Sequence, residues 1–324
     1  MQHRKFGSTG WDVSEVSFGG WQLGGHWGGV DDENSLEALR TAYESGVNFV
    51  DTAELYGEGH SEEVIGESLR RWDGDRIYVA TKVRPVRPPN PADDDPQMRG
   101  RYPGWYLRES VEGSLRRLGV ERLDLLQLHH WCPSGVYELD WLETLNQLRL
   151  EGKIDKIGVS VRDYRPDETV PLVELGLIDS IQVIFNMFEQ TPMNALFPAA
   201  EATGTAVIVR VALDSGSLSG KWTEDTYANW DEGSQQRDMF RGDRFAETLK
   251  RVNALKADVA PYYDDLAEAA LRFTLSEPAV STVIAGMSSA RNVLRNVAVS
   301  DGAAFPAELK AALADHAWVR NYYV

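Results

Sequence analysis

Cysteine, histidine and positive charge are what this 324-residue sequence has least of, and each scarcity closes off a class of function. The lone thiol, Cys132, cannot form an internal disulfide and suits a reducing compartment. Six histidines, two of them out at His3 and His316, are a thin supply for a catalytic metal site. Such a site needs several converging His or carboxylate ligands, so no metal is expected. Lys and Arg total 33 against 50 Asp and Glu, a formal net charge of −17. Phosphate backbones and anionic bilayers are gripped by clustered basic side chains, so neither nucleic acid nor a membrane surface is an expected partner. No apolar run approaches the ~20 residues of a membrane-spanning helix. Met1–Ser14 also lacks the apolar stretch of a secretory signal. The expectation is a soluble, cytoplasmic protein with a small-molecule partner, its oligomeric state left open.

What is present is alternation. Short β-rich runs occur at Val13–Phe18, Asn48–Thr52, Ile77–Val83, Leu123–His129, Ile154–Val159, Ile178–Phe185, Ala206–Leu213 and Thr282–Ile284. Segments of helical period fall between them, at Ser35–Ser45, Glu62–Arg71, Tyr106–Leu118, Trp141–Leu150, Thr169–Leu175, Met193–Ala202 and Asp264–Leu275. Another, Ala290–Val297, follows the last strand. About eight β/α units with no composition break predict one α/β domain over 1–324, a closed (β/α)8 TIM-type barrel. An open doubly wound sheet would usually carry G-x-G-x-x-G after its first strand, and no register of Gly19–Gly29 supplies it.

Two stretches interrupt the alternation. Arg84–Trp105 is rich in Pro and Asp and reads as a long loop after the third strand. Ser215–Ala260 reads as a larger excursion after the seventh. Loops on this side of a barrel shape active sites, so both are candidate covers. Arg4–Val16, with its Gly-Ser-Thr-Gly turn, predicts a β-hairpin cap at the barrel bottom.

Strand parity selects the chemistry. Successive strand residues point to opposite faces. Ile77, Val79 and Thr81 share one face of the third strand, and Leu126 and Leu128 share one face of the fourth. With those sets toward the helices, Lys82 and His129 point into the barrel, and Asp51 lies on the face of Phe49. Three polar groups thus end neighbouring strands, where barrel active sites are built. Any one alone could be a turn residue, a solvated strand end or a satisfied core histidine. Together they are hard to ascribe to chance.

The stretch Asn48-Phe49-Val50-Asp51-Thr52-Ala53-Glu54-Leu55-Tyr56-Gly57, continuing through Gly59, Ser61-Glu62 and Gly66, resembles the signature of the aldo-keto reductase family. So do Thr81-Lys82, Leu125–His129, Lys156-Ile157-Gly158-Val159-Ser160 and Gly216–Lys221. The resemblance implies an oxidoreductase that passes hydride between a nicotinamide and an aldehyde, ketone or sugar carbonyl. It implies Asp51, Tyr56, Lys82 and His129 as the catalytic tetrad, with Tyr56 the general acid and base. A free phenol has a pKa near ~10, so an ammonium such as Lys82 is expected to lower it. Some relatives are channel-associated subunits, so a nucleotide-binding regulatory subunit with little turnover is the alternative.

The resemblance also implies a cofactor, NADP with NAD as the other choice. Gly20 and Trp21 are among the expected cofactor contacts, and Ser160 and Gln182 match positions that bind the nicotinamide carboxamide. Arg210 stands where an aromatic ring usually stacks. Leu213, Ser215, Gly216, Leu218 and Lys221 resemble the pyrophosphate segment, and Gly286, Ser288, Asn292 and Asn296 the adenosine end. The chain departs from the family pattern at Val161, where Asn is usual, and at Ala212, where Pro is common. Arg291 and Arg295 are the basic side chains near the expected 2′-phosphate. Trp21, Trp27, Trp105, His130 and Trp131 could line an aromatic substrate pocket, and Trp21 and Trp131 could equally pack beneath loops.

Overall fold

A computed structural model describes residues 1–25, 31–88, 90 and 96–322. The first turn of chain is a hairpin of two antiparallel strands, β1 (His3–Lys5) and β2 (Asp12–Ser14). Eight further strands follow: β3 (Val16–Gly19), β4 (Phe49–Asp51), β5 (Tyr78–Val83), β6 (Leu123–Leu128), β7 (Ile154–Ser160), β8 (Ser180–Ile184), β9 (Ala206–Arg210) and β10 (Val280–Gly286). They pair in parallel in sequence order, and β10 returns to β3, closing the barrel. The run Val13–Phe18 is therefore divided at Glu15 between the hairpin and the first barrel strand.

Helices alternate with these strands: α1 (Asp32–Glu44), α2 (His60–Arg71), α3 (Gly104–Leu118), α4 (Asp140–Leu150), α5 (Val170–Glu174) and α6 (Leu196–Thr203). After β9 come α7 (Gln235–Met239), α8 (Arg244–Val259) and α9 (Leu266–Leu275), and after β10 come α10 (Ala290–Val297) and α11 (Ala307–Leu313). Local chemistry sets their ends. Asp31 caps α1 by accepting from the Glu33 and Asn34 amides. Helix α3 stops at Gly119, whose φ of 69° is left-handed and cheap only for glycine.

Parity divides the side chains into two cores. Val79, Val83, Leu126, Leu128, Val159, Val183 and Val209 join the cluster beneath the helices. Phe49, Ala80, Leu125 and Ile208 point inward and meet Phe6, Trp11 and Val13 of the hairpin region. The Phe6 ring lies 5.5 Å from Trp11 and 5.3 Å from Phe49, so aromatic packing plugs the N-terminal end. Fully burying one such side chain is worth roughly 1.5–3 kcal/mol.

The two interruptions differ. The described part of 84–103 is irregular and α3 begins at Gly104, whereas the stretch after β9 contains α7 and the 16-residue α8. That stretch has a core of its own, with Phe240, Phe245 and Leu249 buried against Trp222, Tyr227, Trp230 and Tyr322. Among the described residues no helix is long and apolar enough to cross a membrane, and no cluster of His, Cys, Asp or Glu could hold a metal ion.

Candidate active site

Barrel register brings Asp51, Tyr56, Lys82 and His129 together at the C-terminal mouth. β4 delivers Asp51 beside Ala80 of β5, and β5 sets Lys82 beside Gln127 of β6, two residues before His129. Lys82 is fully buried and donates to Asp51 Oδ2 at 2.6 Å, to the Thr52 carbonyl at 2.8 Å and to the Tyr56 hydroxyl at 3.1 Å. Three acceptors saturate its three N–H bonds. Tyr56 sits on the turn after β4, where its amide donates to the Ala53 carbonyl at 3.0 Å. Trp21 and His129 flank the phenol edge-on, with ring centroids 4.9 and 5.8 Å away. Gly24 makes this approach possible, because a Cβ there would lie 2.6 Å from the Gly57 nitrogen. At Gly20 a Cβ would meet the Asp51 carbonyl at 2.8 Å, so this glycine lets the wall close on the tetrad.

Lys82 acts on the phenol in the expected direction, but burial acts against it. Burial pushes the Tyr56 hydroxyl above its ordinary pKa; the Lys82 charge opposes this without overcoming it. The phenol therefore holds its proton near neutrality. Burial works against the charge on Lys82, but Asp51 and Tyr56 outweigh it and the lysine is raised. Lys82 is an ammonium. His129 is driven well below the usual imidazole range by burial first and by Lys82 next, so it is neutral. Its Nδ1 is buried with no hydrogen-bond partner among the described residues.

Around the mouth the expected cofactor residues take varied positions. Ser160 ends β7 and pairs across with Gln182 of β8. Gln182 donates to Asp51 Oδ1 at 2.7 Å, which ties it into the tetrad. Arg210, at the end of β9, is clamped by the Val161 carbonyl at 3.1 Å and by the Asp163 carboxylate. Beyond it the chain turns left-handed at Val211 (φ 57°), Asp214 (φ 47°), Ser215 (φ 54°) and Gly216 (φ 97°). A β-branched residue there is a marked outlier, and such strain gathers at ligand clamps. Leu218 is buried beneath this turn, and Lys221 is exposed beyond it.

At the far rim Asn296 donates to the Gly286 carbonyl at 3.1 Å, and Asn292 to Ser288 Oγ at 3.0 Å. Ser289 caps α10, accepting from the Asn292 amide. Arg295 is engaged elsewhere in this structure, donating from Nε and Nη2 to Asp265, the N-cap of α9. Arg291 is exposed and has no ion pair among the described residues. Of the candidate pocket aromatics, Trp131 is wholly buried against Trp141, ring centroids 5.7 Å apart, while Trp105 is two-thirds exposed. Trp27 lies outside the described residues.

Sequence reasoning passed over several participants. Gln127 donates to Asp51 Oδ1 at 3.3 Å, and its inward parity with His129 was the available signal. Thr52 acts through its carbonyl, which no side-chain pattern reveals. Asp163 belongs to a loop, and nothing in its neighbourhood marks it as the partner of Arg210.

Residues 15–316 match the sequence model of the Aldo/keto reductase family. The chain is 30% identical over 289 residues to aldo-keto reductase YhdN of Bacillus subtilis (strain 168), covering 88% of this chain and 85% of that protein. Among solved structures it resembles the holo form of aldo-keto reductase AKR11C1 from Bacillus halodurans, with TM-score 0.78 and 26% identity. That match covers 99% of this chain and 97% of the other. It also resembles glycerol dehydrogenase AKR11B4 from Gluconobacter oxydans, with TM-score 0.79 and 27% identity over 97% of this chain and 94% of that one.

Proposed function

This chain belongs to the aldo/keto reductase family and is an oxidoreductase; from that premise we propose that it reduces aldehydes, ketones or sugar carbonyls with a nicotinamide nucleotide, using Tyr56 as general acid and base. The observation that carries the reading is the buried ammonium of Lys82 in contact with both Asp51 and Tyr56. A buried charge this well partnered is costly to build, and here it ends on a phenol that can give up a proton.

When bound, the nicotinamide supplies hydride to the carbonyl carbon or takes it back from the alcohol. Reduction leaves negative charge on the carbonyl oxygen, and Tyr56 neutralises it by passing its hydroxyl proton. The phenolate that remains is stabilised by Lys82 at 3.1 Å, and Asp51 keeps that ammonium oriented. Neutral His129 can donate a ring N–H to the same oxygen and so select its position. The reverse reaction uses the phenolate as base.

The chain fits such a cofactor. Ser160 and Gln182 lie side by side at adjacent strand ends, with Gln182 able to exchange its Asp51 contact for a carboxamide. Trp21 and Arg210 offer flat faces at the same mouth. The left-handed turn through Leu213, Ser215, Gly216 and Leu218, with Lys221 beyond, would hold the pyrophosphate; Gly286, Ser288, Asn292 and Asn296 would hold the adenosine. We favour NADP over NAD, with Arg291 supplying charge to the 2′-phosphate. The domain is proposed to span 1–324 and to work in the cytoplasm, which its single buried thiol suits.

Fluorescence titration with NADPH and NADH, followed by a panel of aldehydes, ketones and sugars, tests the reading. Saturable binding and turnover are expected. Binding with no turnover across the panel would instead favour a nucleotide-binding regulatory subunit. No binding of either nucleotide would overturn the cofactor assignment.

A further inference from the structure

Arg320 lies 106 residues from Asp214 in sequence, yet their side chains meet in a buried ion pair, each only 5% exposed. We propose that Arg320 is a positioning residue for the cofactor, acting through Asp214 to set the left-handed turn at 214–216 and to cancel its charge. The inference rests on the cofactor assignment made above for that turn.

The turn needs external support. Asp214 and Ser215 both carry left-handed φ values, and residues so held persist only where their surroundings over-determine them. The Asp214 carboxylate provides that constraint from two sides. Its Oδ2 accepts from Ser217 Oγ at 2.5 Å, within the turn, while Oδ1 accepts from Arg320. The guanidinium is fixed in its turn by aromatic rings, lying 4.4 Å from the centroid of Trp318 and 5.3 Å from those of Phe188 and Tyr322.

The segment carrying Arg320 is itself fastened down. The Trp318 amide donates to the Phe188 carbonyl at 2.8 Å, and the Tyr322 carbonyl accepts from Arg244 at 2.6 Å. The Tyr322 hydroxyl is 2.8 Å from Thr248 Oγ1 on α8. The C-terminal segment therefore ties the turn both to the loop after β8 and to the helical cover after β9.

Charge gives a second reason for the pair. An aspartate in a turn that seats a pyrophosphate would repel it across a short, poorly screened path. Arg320 is its ion-pair partner among the described residues, and its own Nε and Nη1 are buried without acceptors. Among the described residues the charge of Asp214 is thus answered by one ion pair. Loss of Arg320 would leave a slack turn and a carboxylate beside the dinucleotide with no counter-charge, held by Ser217 alone.

NADPH titrations and steady-state kinetics of the full chain, with Arg320→Gln, Asp214→Asn and the double variant, test this. Arg320→Gln should weaken NADPH binding by at least about tenfold while kcat at saturating cofactor changes by less than about threefold. The double variant should bind no worse than Arg320→Gln, because the uncompensated carboxylate is gone. Wild-type-like binding by Arg320→Gln, or losses that add in the double variant, would overturn the inference while leaving the cofactor assignment intact. Wild-type protein that binds neither nucleotide would remove that assignment itself. Amide exchange on the wild type needs no variant to fold: NADPH should slow exchange in 211–219 and 318–322 together, and slowing confined to 211–219 also counts against the inference.

Discussion

The tetrad and the proposed cofactor side lie at the same mouth but are built differently. Asp51, Lys82 and His129 are carried by adjacent strands, so backbone register fixes their spacing before any side chain acts. Each charge there is answered within hydrogen-bond distance, Lys82 by three acceptors and Asp51 by Lys82, Gln127 and Gln182. On the cofactor side the backbone is strained at Val211, Asp214 and Ser215, and order comes from groups distant in sequence. An aromatic cluster around Phe240 and Phe245, joined by Tyr322, holds the cover, and the Asp214–Arg320 pair holds the turn. The tetrad thus rests on strand register, and the proposed cofactor turn on contacts between segments distant in sequence.

Breaking the tetrad should have the largest effect. Lys82→Met removes the cation from a fully buried cluster and leaves Asp51 without its counter-charge. Loss of one partner of such a pair costs about 3–5 kcal/mol, so stability should fall along with activity. Urea unfolding and turnover check this together. A stable, active variant would show that register alone, without the ion pair, suffices.

Tyr56→Phe is a sharper cut through the same region. The ring and its contacts with Trp21 and His129 remain, while the hydroxyl goes, and with it the transferable proton and the third acceptor of Lys82. Reduction should fall by about 10²–10⁴-fold while NADPH binding survives. Stopped-flow turnover beside a binding titration separates the two; unchanged turnover would move the acid elsewhere.

On the cofactor side effects should be smaller and divided by partner. Arg291→Ala should weaken NADPH by about tenfold and leave NADH nearly unchanged, since a charge-assisted hydrogen bond is worth about 1.5–3 kcal/mol. Arg295→Ala should instead lower thermal stability and affect both nucleotides alike, because its guanidinium is spent on the α9 cap at Asp265. The reverse pattern would show that Arg295 leaves Asp265 when nucleotide binds.

A last effect concerns Glu189, near the Asp214–Arg320 pair, whose carboxyl burial pushes up to about 7 from an ordinary 4.5. The native state then holds this proton more tightly than the unfolded chain does. Its contribution is complete below the unfolded value and is lost as pH rises through about 7. Melts of wild type and Glu189→Gln between pH 5 and 8, buffered at roughly constant ionic strength, should show wild type losing more stability on the alkaline side. Parallel curves would mean that Glu189 ionises freely in the fold.

Parity, glycine caps and the order of β/α units made the barrel and the inward places of Asp51, Lys82 and His129 legible, because these depend on local periodicity; Tyr56 came from the family signature alone. The alternation in Tyr78–Lys82 already separates Ala80 and Lys82 from Val79 and Thr81, and the barrel keeps that separation. Helix α8 was legible in principle: Phe245, Leu249, Val252, Leu255 and Val259 repeat at helical spacing, within a stretch otherwise rich in polar and charged residues. Other features had no local signal. The upward shift of Tyr56 depends on how much water the assembled mouth excludes, which motif spacing does not encode. Arg295 looks free beside Arg291 in sequence, and only the fold brings Asp265, at the start of α9, to it.

By itself the sequence determined the alternation, the inward parity of Lys82 and His129, and the family signature around Asp51 and Tyr56, because strand and helix periods are local properties of the chain. Only the tertiary structure decided that Gln182 rests on Asp51, that Trp131 is packed beneath its loop and that Arg320 closes on Asp214. Those contacts join segments up to 131 residues apart. Their energies arise from desolvation and charge pairing in three dimensions, and no periodicity along one strand or helix records them.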